Sequence, residues 1–439
     1  MSQTNLRIIE ELRLFITIVS QDRNLVSLFS LSPNGFTRRR KLCFDRLVLL
    51  IAKLCKKTLS VEIERFFSEL GHEGLCSVSA FCQQRKKLNP ILYRIWNQLL
   101  CDCFYAFRGE NVQRWEGFRL IAVDGSNASL VNTPALLAHF GGQSNQQSFF
   151  VQAKAMYMYD VLNGLVINAI LAPYRTGELT LAYGLTDGIE QDMLTIWDRN
   201  FCNYRMMALL MWQEQERKFV IRARESQKPY RSFIASGKGS EVVTLRPSTS
   251  AIAGLRKNGF IVNKDTMLKV RLVRVDLPET VEVIVTNLWE DEHPEQEFKA
   301  LYFKRWGVET NISHQKNILQ LESFSGLSPL AVEQDFYATV FMSNLQALIT
   351  GDAQETIDSS QRKGKYRMKV NGNKSHGKLR ENFVKLFIDN QPEEILSKLH
   401  SYFIRDTLPI RPGRAFPRIV KNKQSKSKHK TFMNYKPAF

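Results

Sequence analysis

The sequence lacks any run of about 18 apolar residues, so no segment can cross a bilayer as a helix and a membrane partner is not expected. Its opening stretch, MSQTNLRIIEELRLF, carries acids where a secretory signal needs an unbroken apolar core, which argues against export. Cysteine is sparse: seven residues, an odd number, with no CxxC pair. That excludes a disulfide framework and the usual zinc spacings, and it predicts reduced thiols in a cytoplasm. Cys101 and Cys103 stand too close for a zinc pair and read as small buried hydrophobes. No internal repeat is present. Acids are the scarcer charge, 43 Asp+Glu against 61 Lys+Arg, which leaves a net charge of +18.

A chain of 439 residues, 44% of them hydrophobic, is long enough for two or three domains and a sizeable core. The positive charge is unevenly spread. Residues 361–439 hold 20 Lys+Arg and 5 Asp+Glu, or +15 of the +18. Such a segment suits a polyanion, and its final KNKQSKSKHK needs one to become ordered. Residues 1–115 read as helical. Within them LSVEIERFFSEL, the turn GHEG and SVSAFCQQRKKL form a helix-turn-helix-like pair, with Ser77 or Ser79 as N-cap and Arg85, Lys86 and Lys87 at the basic end. A plain helical hairpin with a charged face has the same pattern. Arg38, Arg39 and Arg40 add a second basic cluster, which a solvated run also explains.

From about residue 115 the periodicity changes. FRLIAVDGS is a short apolar run ending at Asp124, and MLTIWDRN is another ending at Asp198. Between them lie two strand-like runs around an Asn-Gly turn and a helical stretch. A further helix and the strand KFVIRAR, with Arg222 and Arg224 on one face, complete the series. The predicted fold class is therefore α/β: a ribonuclease-H-like mixed sheet with flanking helices, interrupted by a β-strand insertion and preceded by the helical N-terminal region. The division expected is 1–115 (DNA-binding), 116–226 (first part of the core), 227–292 (insertion), 293–350 (second part of the core) and 351–439 (basic). In the insertion, LKVRLVRVDL predicts that Lys269, Arg271 and Arg274 face away from the core.

The stretch YFKRWGVETNISHQK carries four chemically distinct groups at helical spacing. Taking Tyr302 as zero, Arg305 falls at about 300°, Glu309 at about 340° and Lys316 at about 320° on an α-helix. The stripe is roughly 60° wide and about 21 Å long. Trp306, at about 40°, is expected to pack beside it, and Gly307 to allow a close backbone approach. Asp124 and Asp198 at strand ends, with Glu309 on the helix, offer only oxygen ligands, which suit Mg²⁺ or Mn²⁺ rather than zinc. Two such ions support in-line displacement at a phosphodiester. Singly, each strand-end acid reads as a cap or a turn residue.

The spacing Y-(2)-R-(3)-E-(6)-K matches the signature of the bacterial insertion-sequence-four group of DDE transposases, and YFKRWGVETNISHQKNILQLESFSG resembles its wording at length. VDGS at Asp124 and WDRNF at Asp198 look like its two aspartate blocks, although Asn200 stands where glycine is common. The resemblance implies that Asp124, Asp198 and Glu309 hold two divalent ions, and that Tyr302, Arg305 and Lys316 meet the transposon end. It further implies double-stranded DNA as partner, a homodimer in the synaptic complex and a nucleoid-associated cytoplasmic location. The activity it implies is cleavage at the element ends and joining of the 3′-OH ends to target DNA. A catalytically silent DNA binder on the same fold, and a nuclease that never joins strands, are the rival readings.

Overall fold

The computed structural model describes residues 3–38, 40–71, 76–144, 149–360, 365–411 and 413, so Arg39 and the KNKQSKSKHK tail lie outside the described residues. The chain opens with helices α1 (Gln3–Gln21), α2 (Arg23–Leu28), α3 (Phe44–Ala52), α4 (Leu59–Glu69), α5 (Val78–Arg85) and α6 (Ile91–Arg108). Apolar residues at helical spacing make α1 one-sided: Ile8, Leu12, Ile16 and Val19 are all buried. Helix α5 begins where Ser77 Oγ accepts the Ala80 N–H at 3.1 Å, and not at Ser79. Ser77→Ala is expected to cost about 1 kcal/mol, read as a lower urea midpoint at unchanged m-value.

A large mixed sheet follows. Its elements are β1 (Arg119–Ser129), α7 (Pro134–Phe140), β2 (Gly142–Ser144), β3 (Phe149–Asp160), β4 (Leu165–Pro173), α8 (Glu178–Leu185), β5 (Met193–Trp197), α9 (Tyr204–Met211) and β6 (Lys218–Arg222). The strands lie in the order β4-β3-β1-β5-β6, with β2 on the end of β3. β5 is parallel to both β1 and β6, while β3 is antiparallel to both β1 and β4. The continuous apolar runs LIAV and MLTIW occupy the buried centre, as parallel strands covered on both faces require. The β3–β4 turn is held by Asp160, whose Oδ1 accepts the Leu162 and Asn163 N–H groups, and by Gly164 at φ +75°.

Residues 227–292 contain helices as well as strands: α10 (Lys228–Ser236), β7 (Ser240–Leu245), α11 (Thr249–Lys257), β8 (Leu268–Asp276) and β9 (Val281–Thr286). Their strands do not stand apart. β9 pairs antiparallel with β6 and extends the same sheet through β8 to β7. The alternation in LKVRLVRVDL misleads at Arg271, which is fully buried. It donates to Ser240 Oγ and to the Leu288 and His293 carbonyls, with its guanidinium over Phe298. A long arginine can be buried where carbonyls satisfy its fork.

Beyond the sheet come α12 (Glu297–Phe303), α13 (Trp306–Asn317) and α14 (Pro329–Ser359), then β10 (Met368–Val370), α15 (Gly372–Ile388), α16 (Pro392–Arg405) and β11 (Thr407–Pro409). Helix α14 runs unbroken through residue 350 as the central core element, with Phe341 stacked on Trp96 of α6 at 3.9 Å. Asn344 of α14 accepts the Val166 N–H and donates to the Val166 carbonyl and to Asn97, tying β4, α6 and α14 together. No helix of the described residues is long and apolar enough to cross a membrane.

Candidate active site

β1 does not end at Asp124. It continues to Ser129, paired with β3 throughout, but its parallel partner β5 stops at Trp197, opposite Val123. Asp198 follows at once, and Arg222 follows Ile221, the residue of β6 opposite Trp197. Asp124, Asp198 and Arg222 are therefore the next residues after one cross-sheet row on neighbouring strands, whose spacing is about 4.8 Å. The buried strands fix this placement. The missing pairing beyond Trp197 opens the space in front of Asp124, a usual place for ligands in such sheets.

The expected single helix is broken. Around Lys304 the bonds become i to i−3: Lys304 to Leu301, Arg305 to Tyr302, Gly307 to Lys304 and Val308 to Arg305. A 3₁₀ turn advances about 120° per residue, so Tyr302 on α12 departs from the straight α-helical stripe. Arg305 caps the start of α13, which carries Glu309 and Lys316. Gly307 packs closely at this turn. A Cβ there would sit 3.2 Å from Val161 Cγ1 in the β3–β4 turn. Trp306 is 48% exposed and not packed as the sequence suggested, because the turn swings it outward.

Arg305 joins the acids. Its Nη2 donates to Glu309 Oε1 at 2.7 Å, and its Nη1 lies 3.5 Å from Asp124 Oδ2. The guanidinium is buried against the Tyr302 and Trp306 rings. Burial pushes the Asp124 carboxyl up to about 6, with the charges of Glu309 and Asp198 adding to the rise and the Gly125 N–H and Arg305 opposing it. All three carboxylates thus share one electrostatic environment. The Asp198 carbonyl accepts the Phe201 N–H at 3.0 Å, while its half-buried carboxylate makes no hydrogen bond or ion pair among the described residues. As the side chains stand, no three acids, histidines or cysteines among the described residues are grouped closely enough to hold a metal ion. The centre between Asp124 and Glu309 is taken by Arg305. The donors are oxygens only, the kind of set a hard divalent cation takes, and Arg305 stands between two of them.

The remaining expected residues divide. Tyr302 is buried with its hydroxyl unpartnered, and burial first of all raises its pKa. Lys316 is not beside the acids. Its Nζ donates to the Asn127 carbonyl at 2.6 Å and lies 3.5 Å from Glu322, so α13 runs along the outer part of β1. Arg222 pairs with Glu225 and Glu282 at 3.1 and 2.8 Å, while exposed Arg224 reaches Asn200. Arg38, Arg40 and Lys86 are exposed and Lys87 is half-buried. Arg85 is a correction. It is buried and paired with Asp335 at 2.5 Å, bonded also to Gln334, Ser325 and the Ala331 carbonyl, and has no surface for DNA. The helix turns it inward onto α14, which a count of basic residues at a helix end does not reveal. Glu178 reads in sequence as a helix-end acid and does open α8, but its carboxylate lies 3.4 Å from where a Cβ on Gly125 would stand, and it pairs with Lys154. Only the absence of a side chain at Gly125 hints at this neighbour.

Residues 115–345 match the family model described as "Transposase DDE domain". The chain is 24% identical over 397 residues to "Transposase InsG for insertion sequence element IS4" of Escherichia coli (strain K12), covering 88% of this chain and 87% of that protein. It is 23% identical over 257 residues to "Putative transposase InsZ" of the same organism, covering 56% of this chain and 83% of that protein. Among solved structures, the cryo-EM structure of a piggyBac transposase synaptic complex with hairpin DNA is similar at a TM-score of 0.40 and 10% identity. That alignment covers 100% of this chain and 89% of the other, and at this score it carries no structural argument.

Proposed function

The chain belongs to the DDE transposases of the insertion-sequence-four type, enzymes acting on DNA, and from that premise we propose that it cuts an element at its ends and joins the 3′-OH ends to target DNA. The core is ribonuclease-H-like in this reading, supported by the order β4-β3-β1-β5-β6 with its parallel and antiparallel senses. Residues 227–292 are its insertion, 1–115 the end-binding region and 351–439 a basic arm. A homodimer holds two ends.

The observation that carries the proposal is geometric: Asp124 and Asp198 directly follow opposed residues of two neighbouring parallel strands, and Arg305 bridges Asp124 to Glu309, a helix acid 111 residues beyond Asp198. These three carboxylates would hold Mg²⁺ or Mn²⁺, and a bound pair of such ions activates the attacking oxygen and stabilises the leaving one. The protein's own contribution is positional. The buried β1 and β5 hold the two aspartates at the sheet's open end, and the Gly307 contact sets the height of α13. Arg305 keeps the acids compatible until a substrate phosphate offers its guanidinium a bidentate partner. Lys316 secures α13 to the outer part of β1 and lies in line to meet the strand beyond the cut.

The test incubates labelled duplexes carrying the element's terminal repeat with protein, Mg²⁺ and a target plasmid. Nicked ends and joined products are expected. Nicks without joined products would assign a nuclease, and neither product, with binding retained, a silent DNA binder.

A further inference from the structure

Outside the acidic site, the N-terminal helices enclose a cavity of about 280 Å³ that the catalytic reading does not use. Its cationic lining is Arg38, Arg40 and Lys87, with Asn34, Phe36, Thr37 and Gln84 in the wall, and no carboxylate of the described residues lines it. None of the three cations forms an ion pair among the described residues. Gln84 is only 4% exposed, yet its side-chain Oε1 is buried without a hydrogen-bond partner. Amide oxygens of Asn127, Gln152 and Gln315 are buried in the same way, but only Gln84 of these lies in the wall of a cationic pocket. By a half-turn of its last torsion the amide can present nitrogen instead of oxygen, and toward an anion it presents the N–H₂ donors.

The walls are fixed to each other. Leu31 N–H donates to the Lys87 carbonyl at 2.7 Å, and Asn89 N–H to the Phe29 carbonyl at 2.9 Å. Phe36 is held at φ +59°, a left-handed conformation unusual for an aromatic residue, with its ring edge-on to Phe44. Three cations without an ion pair among the described residues and a buried amide around one half-open pocket form an anion seat rather than a solvated basic face.

The geometry points to a seat for a single backbone phosphate of duplex DNA, gripped by Arg38, Arg40 and Lys87 with Gln84 as the buried donor. This rests on the reading of the chain as a DNA-acting transposase, and it goes beyond a diffuse basic surface. The three cations converge on one phosphate and do not track three. Phosphate contacts of this kind fix register without reading sequence.

Salt dependence separates the two arrangements. Binding of the full chain to a fluorescent terminal-repeat duplex is followed in EDTA, from about 50 to about 200 mM salt, where each neutralised phosphate contributes a log–log slope of about −0.9. The triple variant R38A/R40A/K87A alters only exposed or half-buried side chains. It is expected to flatten the slope by about 0.9, against about 2.7 if each cation met its own phosphate. Gln84→Glu puts a carboxylate among three unpaired cations. It is expected to keep or raise the melting temperature and to match the triple variant's slope. A flattening near 2.7, an unchanged slope, or wild-type binding by Gln84→Glu each overturns the seat. The same slopes measured on unrelated duplex read the seat even if the terminal repeat is bound no better than random DNA. That last outcome would count against end recognition and leave this inference standing.

Discussion

Asp124→Asn, Asp198→Asn and Glu309→Gln are each expected to lower cleavage by about 10³-fold or more, because each would remove a proposed metal ligand worth several kcal/mol of transition-state charge stabilisation. End binding in EDTA should be unchanged, since none of the three lies in the N-terminal seat. Single-turnover nicking of a labelled end in Mg²⁺ reads the loss. Any one variant keeping most of its activity would remove that acid from the reaction. Asp124 carries a second expectation. Its carboxyl is raised from 3.8 to about 6 in the folded chain. The folded state therefore binds this proton more tightly, and the resulting stabilisation is present below about pH 4 and lost as pH rises through about 6. At pH 7.5 in EDTA, Asp124→Asn should melt higher than wild type while being inactive. A lower melting temperature would mean that the Arg305 contact outweighs the cost of burying the charge.

The second large effect concerns folding. Arg85→Ala or Asp335→Ala should each destabilise by about 3–5 kcal/mol, since removing either partner strands a buried charge. Burial alone would raise the Asp335 pKa, but Arg85, Lys56 and the Ser325 donors hold it below its ordinary value. Its stabilisation is therefore present above the ordinary carboxylate range and is lost as pH falls through the folded value. Urea midpoints at neutral pH provide the measurement. A loss below about 1 kcal/mol for either variant would show the pair to be as weak as an exposed one.

Much of this was legible in the sequence because the informative segments are buried and regular. The short apolar runs before Asp124 and Asp198 read as buried strands and lie at the centre of the sheet, and the tyrosine-to-lysine spacing singled out Glu309 as the third candidate acid. What escaped depended on tertiary contact. The 3₁₀ turn at Lys304 lies where Gly307 meets Val161, a residue about 150 positions away in the chain. Arg85 and Arg271 look like surface charges in sequence but are buried, Arg85 against Asp335 and Arg271 with its Nη1 on the Leu288 and His293 carbonyls. The extension of the sheet through β9 was hidden because strand pairing is non-local, and VEVIVT states only that it is a strand.

The buried Arg85 joint fastens the N-terminal helices to α14, and α14 packs on the sheet that carries Asp124. If a duplex phosphate sits beside Lys87 as proposed, that joint links its seat to the sheet bearing the acids. The spacing between the gripped phosphate and the cut bond would then be a property of the fold, and Arg85→Ala is expected to scatter the cut positions seen on a sequencing gel.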